Sequence, residues 1–123
     1  MKFALILVGL VWPSLGLAQD VASAPGGTVR WLDKISGITK DVEMTVGETQ
    51  EHGRLAITLD DCRYPVRDPS SNAFGHLTIR DSLQQAPVFM GWMIATSPAL
   101  SSMDHARYDV WMLRCKTPAA VTE

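Results

Sequence analysis

Apolar and polar side chains alternate along much of the chain, and this alternation predicts β-strands between residues 28 and 115. It is clearest in residues 38–46 and 54–59, where every second residue is apolar from position 42 and from position 55 onward. The apolar positions of these two segments are Val42, Met44, Val46, Leu55, Ile57 and Leu59. A period of two is typical of a strand that buries one face and exposes the other. Shorter segments of the same character predict further strands, at residues 28–33, 74–80 and 107–115.

Residues 88–95 (VFMGWMIA) depart from this alternation because they are apolar at nearly every position. Such a run predicts a strand that is covered on both faces. After it, Ser97 and Pro98 interrupt the pattern. They predict one short helix from Ala99 to about Met103, with Ser97 as its cap.

The last predicted strand divides into two faces. Alternation assigns Tyr108, Val110 and Met112 to one face, and Asp109, Trp111, Leu113 and Cys115 to the other. Between the strands, residues 63–72 contain two prolines and predict a loop, and residues 81–86 predict a polar connection. About five to seven short strands and no long amphipathic helix predict an all-β fold. The fold is either a small antiparallel sandwich or a barrel, with room for one helical turn.

The first eighteen residues are typical of a secretory signal peptide. Lys2 supplies a positive start, and Gly16-Leu17-Ala18 places small residues where a signal peptidase cleaves. The apolar stretch between them is about 15 residues long and contains Pro13, whereas a membrane span needs about 20. We therefore expect cleavage near Ala18 and a periplasmic mature protein with no stable membrane anchor.

The mature chain is predicted to hold a single domain. Residues 19–27 (QDVASAPGG) are small or polar and contain a Pro-Gly-Gly break, which is typical of a flexible leader. Residues 116–123 show no periodicity and predict a loose tail. The domain itself is expected to span residues 28–115.

Charge excludes one class of partner. The whole chain carries 11 basic and 13 acidic residues. Loss of Lys2 with the signal peptide leaves ten basic against 13 acidic residues, a net charge of −3. Nucleic-acid binding requires a basic patch that displaces counterions from phosphate, and the basic residues here are scattered singly. We therefore expect no nucleic-acid partner.

Cys62 and Cys115 are the two cysteines of the chain, 53 positions apart. In an oxidising compartment, two cysteines are expected to pair with each other. A metal or redox pair is the alternative, but it favours close C-x-x-C spacing. The sequence therefore predicts a structural disulfide.

Ser97, Ser101, Asp104, His105 and Asp109 supply the residue types of a hydrolase site within 13 positions. The members of a Ser-His-Asp triad are, however, assembled by the fold rather than by proximity in sequence, and the G-x-S-x-G motif is missing. A cap and a turn explain these serines more simply. No spacing of His, Cys, Asp or Glu predicts a metal site, and we expect no catalytic residue, metal or cofactor.

Two further features allow either a structural or a functional role. Asp109 shares a predicted face with Trp111, so its burial would require a polar partner, and a buried structural network is favoured over a site. The strand tryptophans Trp31, Trp92 and Trp111 either line an aromatic groove or fill the core. Their size favours the core in so small a domain.

The segment GWMIATSPALSSMDHARYDVWMLRC, preceded by VGETQEHGRLAITLDDC and by a WLDKISG start, resembles the DUF2155 family of exported alphaproteobacterial proteins of unknown function. The resemblance covers nearly the whole mature chain. The most specific shared positions are Gly91, Trp92, Met93, Ser97, Pro98, Leu100, His105, Tyr108, Asp109, Val110, Trp111 and Cys115. Asp104 and Ala106 depart from the family, which has Glu and Pro beside the histidine.

These observations favour a non-catalytic periplasmic module that binds an envelope protein or a ligand. Genes of the resembled family lie near one for an accessory subunit of proton-pumping NADH:quinone oxidoreductase, which implies a role in envelope or respiratory-complex maintenance. The candidate binding residues are Trp92, Ser97, Asp104, His105, Tyr108, Asp109 and Trp111. The alternatives are a small envelope-polymer hydrolase that uses Ser97, Asp104 and His105, and a carrier of a metal or small ligand.

Overall fold

The computed structural model describes residues 3–4, 8–11 and 20–118. Within these ranges the chain forms eight strands and one 3-10 turn, Pro98–Leu100. The strands are β1 (Val21–Ser23), β2 (Gly26–Asp33), β3 (Thr39–Thr45), β4 (Thr49–His52), β5 (Leu55–Pro65), β6 (Phe74–Asp81), β7 (Phe89–Ile94) and β8 (Tyr108–Cys115). Most of the predicted signal peptide, and residues 119–123 of the predicted tail, lie outside the described residues.

The strands form two antiparallel sheets. Sheet A has the order β1-β5-β6-β7, with β4 also paired to β5, and sheet B has the order β3-β2-β8. The apolar faces of the two sheets pack against each other, so the fold is a β-sandwich. The all-β prediction is confirmed, and the sandwich is the correct alternative. The two strands that the pattern missed, β1 and β4, are only three and four residues long.

The core between the sheets is built from the apolar positions of the alternating strands. On sheet A, Leu55, Ile57 and Leu59 are buried, and on sheet B, Val42 and Met44 are buried. This is the face that their period of two predicts. Each aliphatic side chain removed from water in this way stabilises the fold by roughly 1.5–3 kcal/mol.

A disulfide between Cys62 and Cys115 links the two sheets, as predicted. Cys62 lies on β5 and Cys115 ends β8, and their Cα atoms are 5.8 Å apart. Both residues are buried, and no other cysteine is present in the chain. The last strand of the fold is thereby fixed covalently to the opposite sheet.

The predicted faces of the last strand are correct at its start and wrong at its end. Thr28 pairs with Arg114 and Val29 pairs with Met112, so Leu113 is an extra residue in β8. Such a bulge reverses the alternation beyond it. Cys115 therefore turns toward the core, on the same side as Met112, whereas strict alternation would place it on the opposite face.

β7 was predicted to be covered on both faces, and this prediction is wrong. β7 is the edge strand of sheet A, and no layer of the described chain covers its outer face. Met93 on the inner face is buried, whereas Met90 and Trp92 on the outer face are 62% and 40% exposed. An apolar run cannot distinguish a strand between two layers from an edge strand that keeps apolar residues on its open face.

Part of the predicted flexible leader forms regular structure. Val21–Ser23 forms β1 and pairs with residues 63–65 of β5, and β2 already begins at Gly26. The leader prediction is wrong for these residues, because ladder hydrogen bonds override the weak β-propensity of small side chains. The same pairing extends β5 through Pro65, into the segment that was predicted as a loop from residue 63.

The predicted short helix is only a single 3-10 turn. It covers Pro98–Leu100, and the side chain of Ser97 makes no capping hydrogen bond. Met103, predicted to end the helix, is instead buried in the core. The connection therefore bends inward after the turn, where Met103 gains more from apolar contact than from further helical hydrogen bonds.

The start of the predicted tail packs against the domain. The amide of Lys116 donates to the carbonyl of Gly26 at 2.8 Å, and Thr117 is buried. The prediction of a loose tail is therefore wrong for these two residues. Within the described ranges, no helix has the length and apolar character needed to cross a membrane.

Candidate functional site

His105 is the predicted residue best suited to acid–base chemistry, and the structure places it in the interior. It lies in the connection before β8 and is buried. Its Nδ1 accepts hydrogen bonds from the backbone amides of Arg107 (3.0 Å) and Tyr108 (3.1 Å). Because these donors require a lone pair on Nδ1, the ring proton lies on Nε2, which donates to Asp81 Oδ2 at 2.8 Å. Both ring nitrogens are therefore engaged within the protein.

Asp81 holds the other end of this hydrogen bond. It ends β6, and its side chain is 1% exposed. Its carboxylate also accepts from the amide of Leu83 (3.0 Å) and lies 3.3 Å from the guanidinium of Arg54. The Leu83 amide, the His105 ring and the Arg54 guanidinium hold the pKa of Asp81 far below its usual range. The buried charge is thus matched by three donors.

Tyr108 completes this interior cluster. It is 2% exposed, and the guanidinium groups of Arg54 and Arg107 lie 5.6 Å and 5.1 Å from its ring centre. Its hydroxyl accepts from the amide of Arg54 at 3.3 Å. Arg107 also pairs with Asp33, and this hydrogen-bonded guanidinium lowers the pKa of the Asp33 carboxyl. Tyr108 therefore ties β8 to the β4–β5 turn, and its ring is enclosed in the interior.

The hydrolase arrangement of Ser97, Asp104 and His105 is not assembled. The ring nitrogens of His105 are already engaged, and Asp104 is exposed. The backbone of Ser97 instead closes the turn: its amide donates to Ile94 and its carbonyl accepts from Leu100, both at 3.1 Å. This part of the connection is therefore a structural turn.

Asp109 and Trp111 lie on the outer face of sheet B, as the alternation predicts. Trp111 is partly buried and lines a shallow depression of about 390 Å³ with Pro98 and Asp109. The carboxylate of Asp109 accepts from the amide of the next residue, Val110, at 2.9 Å. The predicted buried network is therefore not built on Asp109, because this carboxylate faces outward.

The buried polar network is built on Asp81 and Asp33, whereas the sequence suggested Asp109. A signal for Asp81 was present, since it follows Leu77 and Ile79 at the same spacing of two. Extending the buried face of β6 by one step places this carboxylate in the core. A charged residue at a buried position of a strand needs polar partners. For Asp81 these partners are His105 and Arg54.

Among the candidate binding residues, Trp92 combines an exposed side chain with two basic neighbours. It lies on the outer face of sheet A, next to the exposed side chain of Met90. His76 on β6 meets the indole edge-on, with ring centres 5.2 Å apart and planes at 84°. The guanidinium of Arg63 lies 5.2 Å from the indole centre, within the range of a cation–π contact. We call the four side chains of Arg63, His76, Met90 and Trp92 the Trp92 face.

Two carboxylates hold the basic groups of the Trp92 face in place. Asp60 Oδ2 accepts from His76 Nδ1 (2.8 Å) and from Thr78 Oγ1 (2.7 Å). Asp61 Oδ2 lies 2.9 Å from Arg63 Nε. β5 carries a bulge at this acidic pair, and the local change in strand direction brings both carboxylates to the outer face. Each basic group therefore has an acidic partner before any ligand arrives.

The strand tryptophans do not line a common groove. Trp31 faces the core, is 6% exposed and packs 5.6 Å from the ring of Tyr108. Its Nε1 has no hydrogen-bond partner among the described residues. Trp92 and Trp111 lie on the outer faces of opposite sheets. The core prediction is therefore correct for Trp31 and wrong for Trp92, which lies on the surface.

The three histidines lie in separate parts of the fold. In the described ranges, no three side chains of His, Cys, Asp or Glu converge closely enough to hold a metal ion. His52 lies on β4, His76 lies on the outer face of β6, and His105 is buried. The disulfide engages both cysteines.

Fold and side-chain geometry define a small, disulfide-linked antiparallel β-sandwich. The model of the family described as "Uncharacterized protein conserved in bacteria (DUF2155)" matches residues 27–115, and the chain belongs to this family. A curated relative, Uncharacterized protein RP359 of Rickettsia prowazekii (strain Madrid E), is 25% identical over 111 residues, which cover 84% of this chain and 72% of the relative. No solved structure matches the chain significantly.

Proposed function

We propose that this protein is an exported, non-catalytic binding module of the periplasm that contacts an envelope protein through the Trp92 face. Its role is the maintenance of the cell envelope or of its respiratory complexes. The accessibility of Trp92 carries this proposal, because the outer face of β7 exposes a tryptophan and a methionine and the strand has no charged residue. Exposed edge strands are usually protected by charge or proline, and β7 has neither.

Residue types and local order support a protein partner. Tryptophan, methionine and arginine are enriched at the centres of protein interfaces. Trp92 is held edge-on by His76, and Arg63 is held by Asp61. Binding therefore requires little additional ordering of these side chains, which lowers its entropic cost.

The burial of His105 supports a non-catalytic role for the 97–109 connection. A general base must reach the proton that it abstracts, but the two nitrogens of His105 bind Asp81 and backbone amides. Asp81, the carboxylate that His105 contacts, is itself paired with Arg54. The cluster is therefore suited to fixing the connection against the sandwich.

Site-specific photocrosslinking in intact cells tests the Trp92 face. A photoreactive residue at position 90 should form a discrete adduct with one periplasmic partner, because Met90 is 62% exposed beside Trp92. Adding Trp92→Ala should remove most of the adduct without reducing the amount of folded protein. A photoreactive residue at the exposed position Leu83, outside the Trp92 face, is the matched control. Equal adducts at positions 90 and 83, or an adduct that survives Trp92→Ala, would contradict the proposal.

Export is tested separately. The disulfide is consistent with an oxidising compartment, and the signal-like start predicts cleavage near Ala18. N-terminal sequencing of protein from the periplasmic fraction should therefore begin at or near Gln19. A cytoplasmic protein that retains Met1 and carries two free thiols would overturn this part of the proposal.

A further inference from the structure

The outer face of sheet B contains an open trough of about 750 Å³, on the opposite side of the sandwich from the Trp92 face. Gly26–Thr28, at the start of β2, forms its floor, and the ends of β3 and β8 form its walls. The floor lies low because its residues are small while the flanking side chains are long. Its volume is within the range of about 300–1,000 Å³ that is usual for ligand sites.

The two walls of the trough carry opposite charges. Glu43 stands on the β3 wall, and Arg114 and Lys116 stand on the β8 wall. All three residues are exposed. None of them forms an ion pair with another residue in the described part of the chain. A ligand with one positive and one negative end would complement both walls.

Strand pairing sets the distance between the charged walls. Thr28 pairs with Glu43 on one side and with Arg114 on the other. Neighbouring strands lie about 4.8 Å apart, so the two wall residues stand on strands about 10 Å apart. Thr28 and Thr117 also line the trough although they are only 6% and 7% exposed.

We propose that this trough binds a short peptide with free ends, whose amino group contacts Glu43 and whose carboxylate contacts Arg114 and Lys116. An extended chain advances about 3.3–3.6 Å per residue, so three residues span about 10 Å and bridge the two walls. A ligand with only one charged end leaves the opposite wall without a partner. The trough therefore selects for peptides of about three residues in which both termini are ionised.

Titration of isotope-labelled protein with trialanine tests this selectivity. Amide resonances of Gly26, Gly27 and Thr28 should shift on binding, because these residues form the floor. N-acetyl-trialanine loses the positive end, and trialanine amide loses the negative end. Each should bind about five-fold more weakly than trialanine, as expected for loss of one exposed ion pair. Equal affinity for the three peptides, or no shift at the floor residues, overturns the proposal.

Wall variants assign each peptide end to its side of the trough. Glu43→Gln should weaken trialanine about five-fold and leave N-acetyl-trialanine unaffected. Arg114→Gln combined with Lys116→Gln should weaken trialanine and leave trialanine amide unaffected. Glu51→Gln, an exposed acidic position on sheet A, is the matched control and should not alter binding. If each variant keeps wild-type melting and wild-type affinity, the trough is not a peptide site.

Discussion

At the end of β6, the carboxylate of Asp81, which is 1% exposed, meets the imidazole of His105, which is 6% exposed, at 2.8 Å. Removal of His105 would leave this buried carboxylate without one of its donors, and a hydrogen bond to a charged group typically contributes about 1.5–3 kcal/mol. This one contact connects β6 to the start of β8 through the long connection. The histidine that sequence reasoning considered for catalysis therefore stabilises the fold.

Asp81→Asn should lower the free energy of unfolding at pH 7 and make that free energy less sensitive to a fall in pH. A carboxyl whose folded-state pKa is depressed stabilises the fold fully above its unfolded pKa of about 3.9. That stability is lost as the pH falls through the lower folded-state pKa. Urea unfolding from pH 7 to about pH 2 should show a smaller loss below about pH 4 in the variant than in the wild type.

Asp109→Asn is the control for this experiment, because its carboxylate accepts a local amide hydrogen bond on the outer face. It should lower the free energy of unfolding at pH 7 by less than Asp81→Asn does, because Asp109 lies on the outer face. If Asp81→Asn keeps the wild-type slope of stability against pH, Asp81 does not hold the buried charge that the geometry assigns to it.

Gly53→Ala should destabilise the fold more than Gly37→Ala. Both glycines have positive φ, +60° and +74°, where alanine is strained. A Cβ on Gly53 would also lie 2.6 Å from the hydroxyl of Tyr108, whereas a Cβ on Gly37 meets no atom within 4 Å. Overpacking should add about 1–3 kcal/mol at Gly53. Thermal unfolding measures the difference, and equal losses would contradict a tight contact between Gly53 and Tyr108.

Among the elements, the strands with strict alternation are the ones that the sequence predicts best. The buried faces of β3, β5 and β6 follow from their period of two, because one side of each strand must leave water. The buried face of β7 cannot be predicted in this way because both of its faces are apolar. Whether a second layer covers a strand depends on the order of strands in the sheet, which no local pattern contains.

The candidate site was predicted only in part for a related reason. The residue type alone makes Trp92 a candidate, but its partners Arg63 and His76 lie on other strands and become neighbours only through sheet pairing. His105 is a candidate in the same way, yet its burial depends on Asp81, 24 positions earlier. Residue types along one segment suggest possible chemistry, whereas register between segments decides which groups meet.

Alanine substitutions of the three strand tryptophans should lower the stability of the fold by different amounts, according to the strand on which each lies. Trp31→Ala on β2 removes a buried indole and should cost about 3–5 kcal/mol. Trp92→Ala on β7 should cost less than about 1 kcal/mol, because this side chain is partly solvated and lies on an open face. Trp111→Ala should fall between them, since it is partly buried. Denaturant unfolding measures the order, and a Trp92 cost equal to that of Trp31 would make Trp92 a structural residue.

At the scale of the whole molecule, the disulfide closes a loop of 53 residues between the sheets. The chain-entropy model assigns such a loop about 4 kcal/mol of stability. Cys62→Ala combined with Cys115→Ala should lower the free energy of unfolding by about this amount, and reductant should have the same effect on the wild type. Guanidinium unfolding with and without reductant provides the measurement. Reductant should not affect the double variant, and a wild type equally insensitive to it would refute a stabilising link.

The general architecture was predicted from the sequence, but its registers were not. Alternating strands and the cysteine pair indicate a disulfide-linked all-β domain, whereas the bulge at Leu113 is chosen by pairing with β2. Without this bulge, Arg114 would take the inward position and Cys115 would face away from Cys62. One extra residue in the last strand therefore allows the predicted disulfide to form.

The order of sheet B also sets the timing of folding. β2 begins at residue 26, but β8, one of its two neighbours, ends only at residue 115. One edge of β2, a largely buried strand, therefore stays unpaired until β8 is available. An unpaired apolar strand is prone to incorrect association. A chain interrupted before β8 is thus an aggregation hazard and not a smaller stable domain.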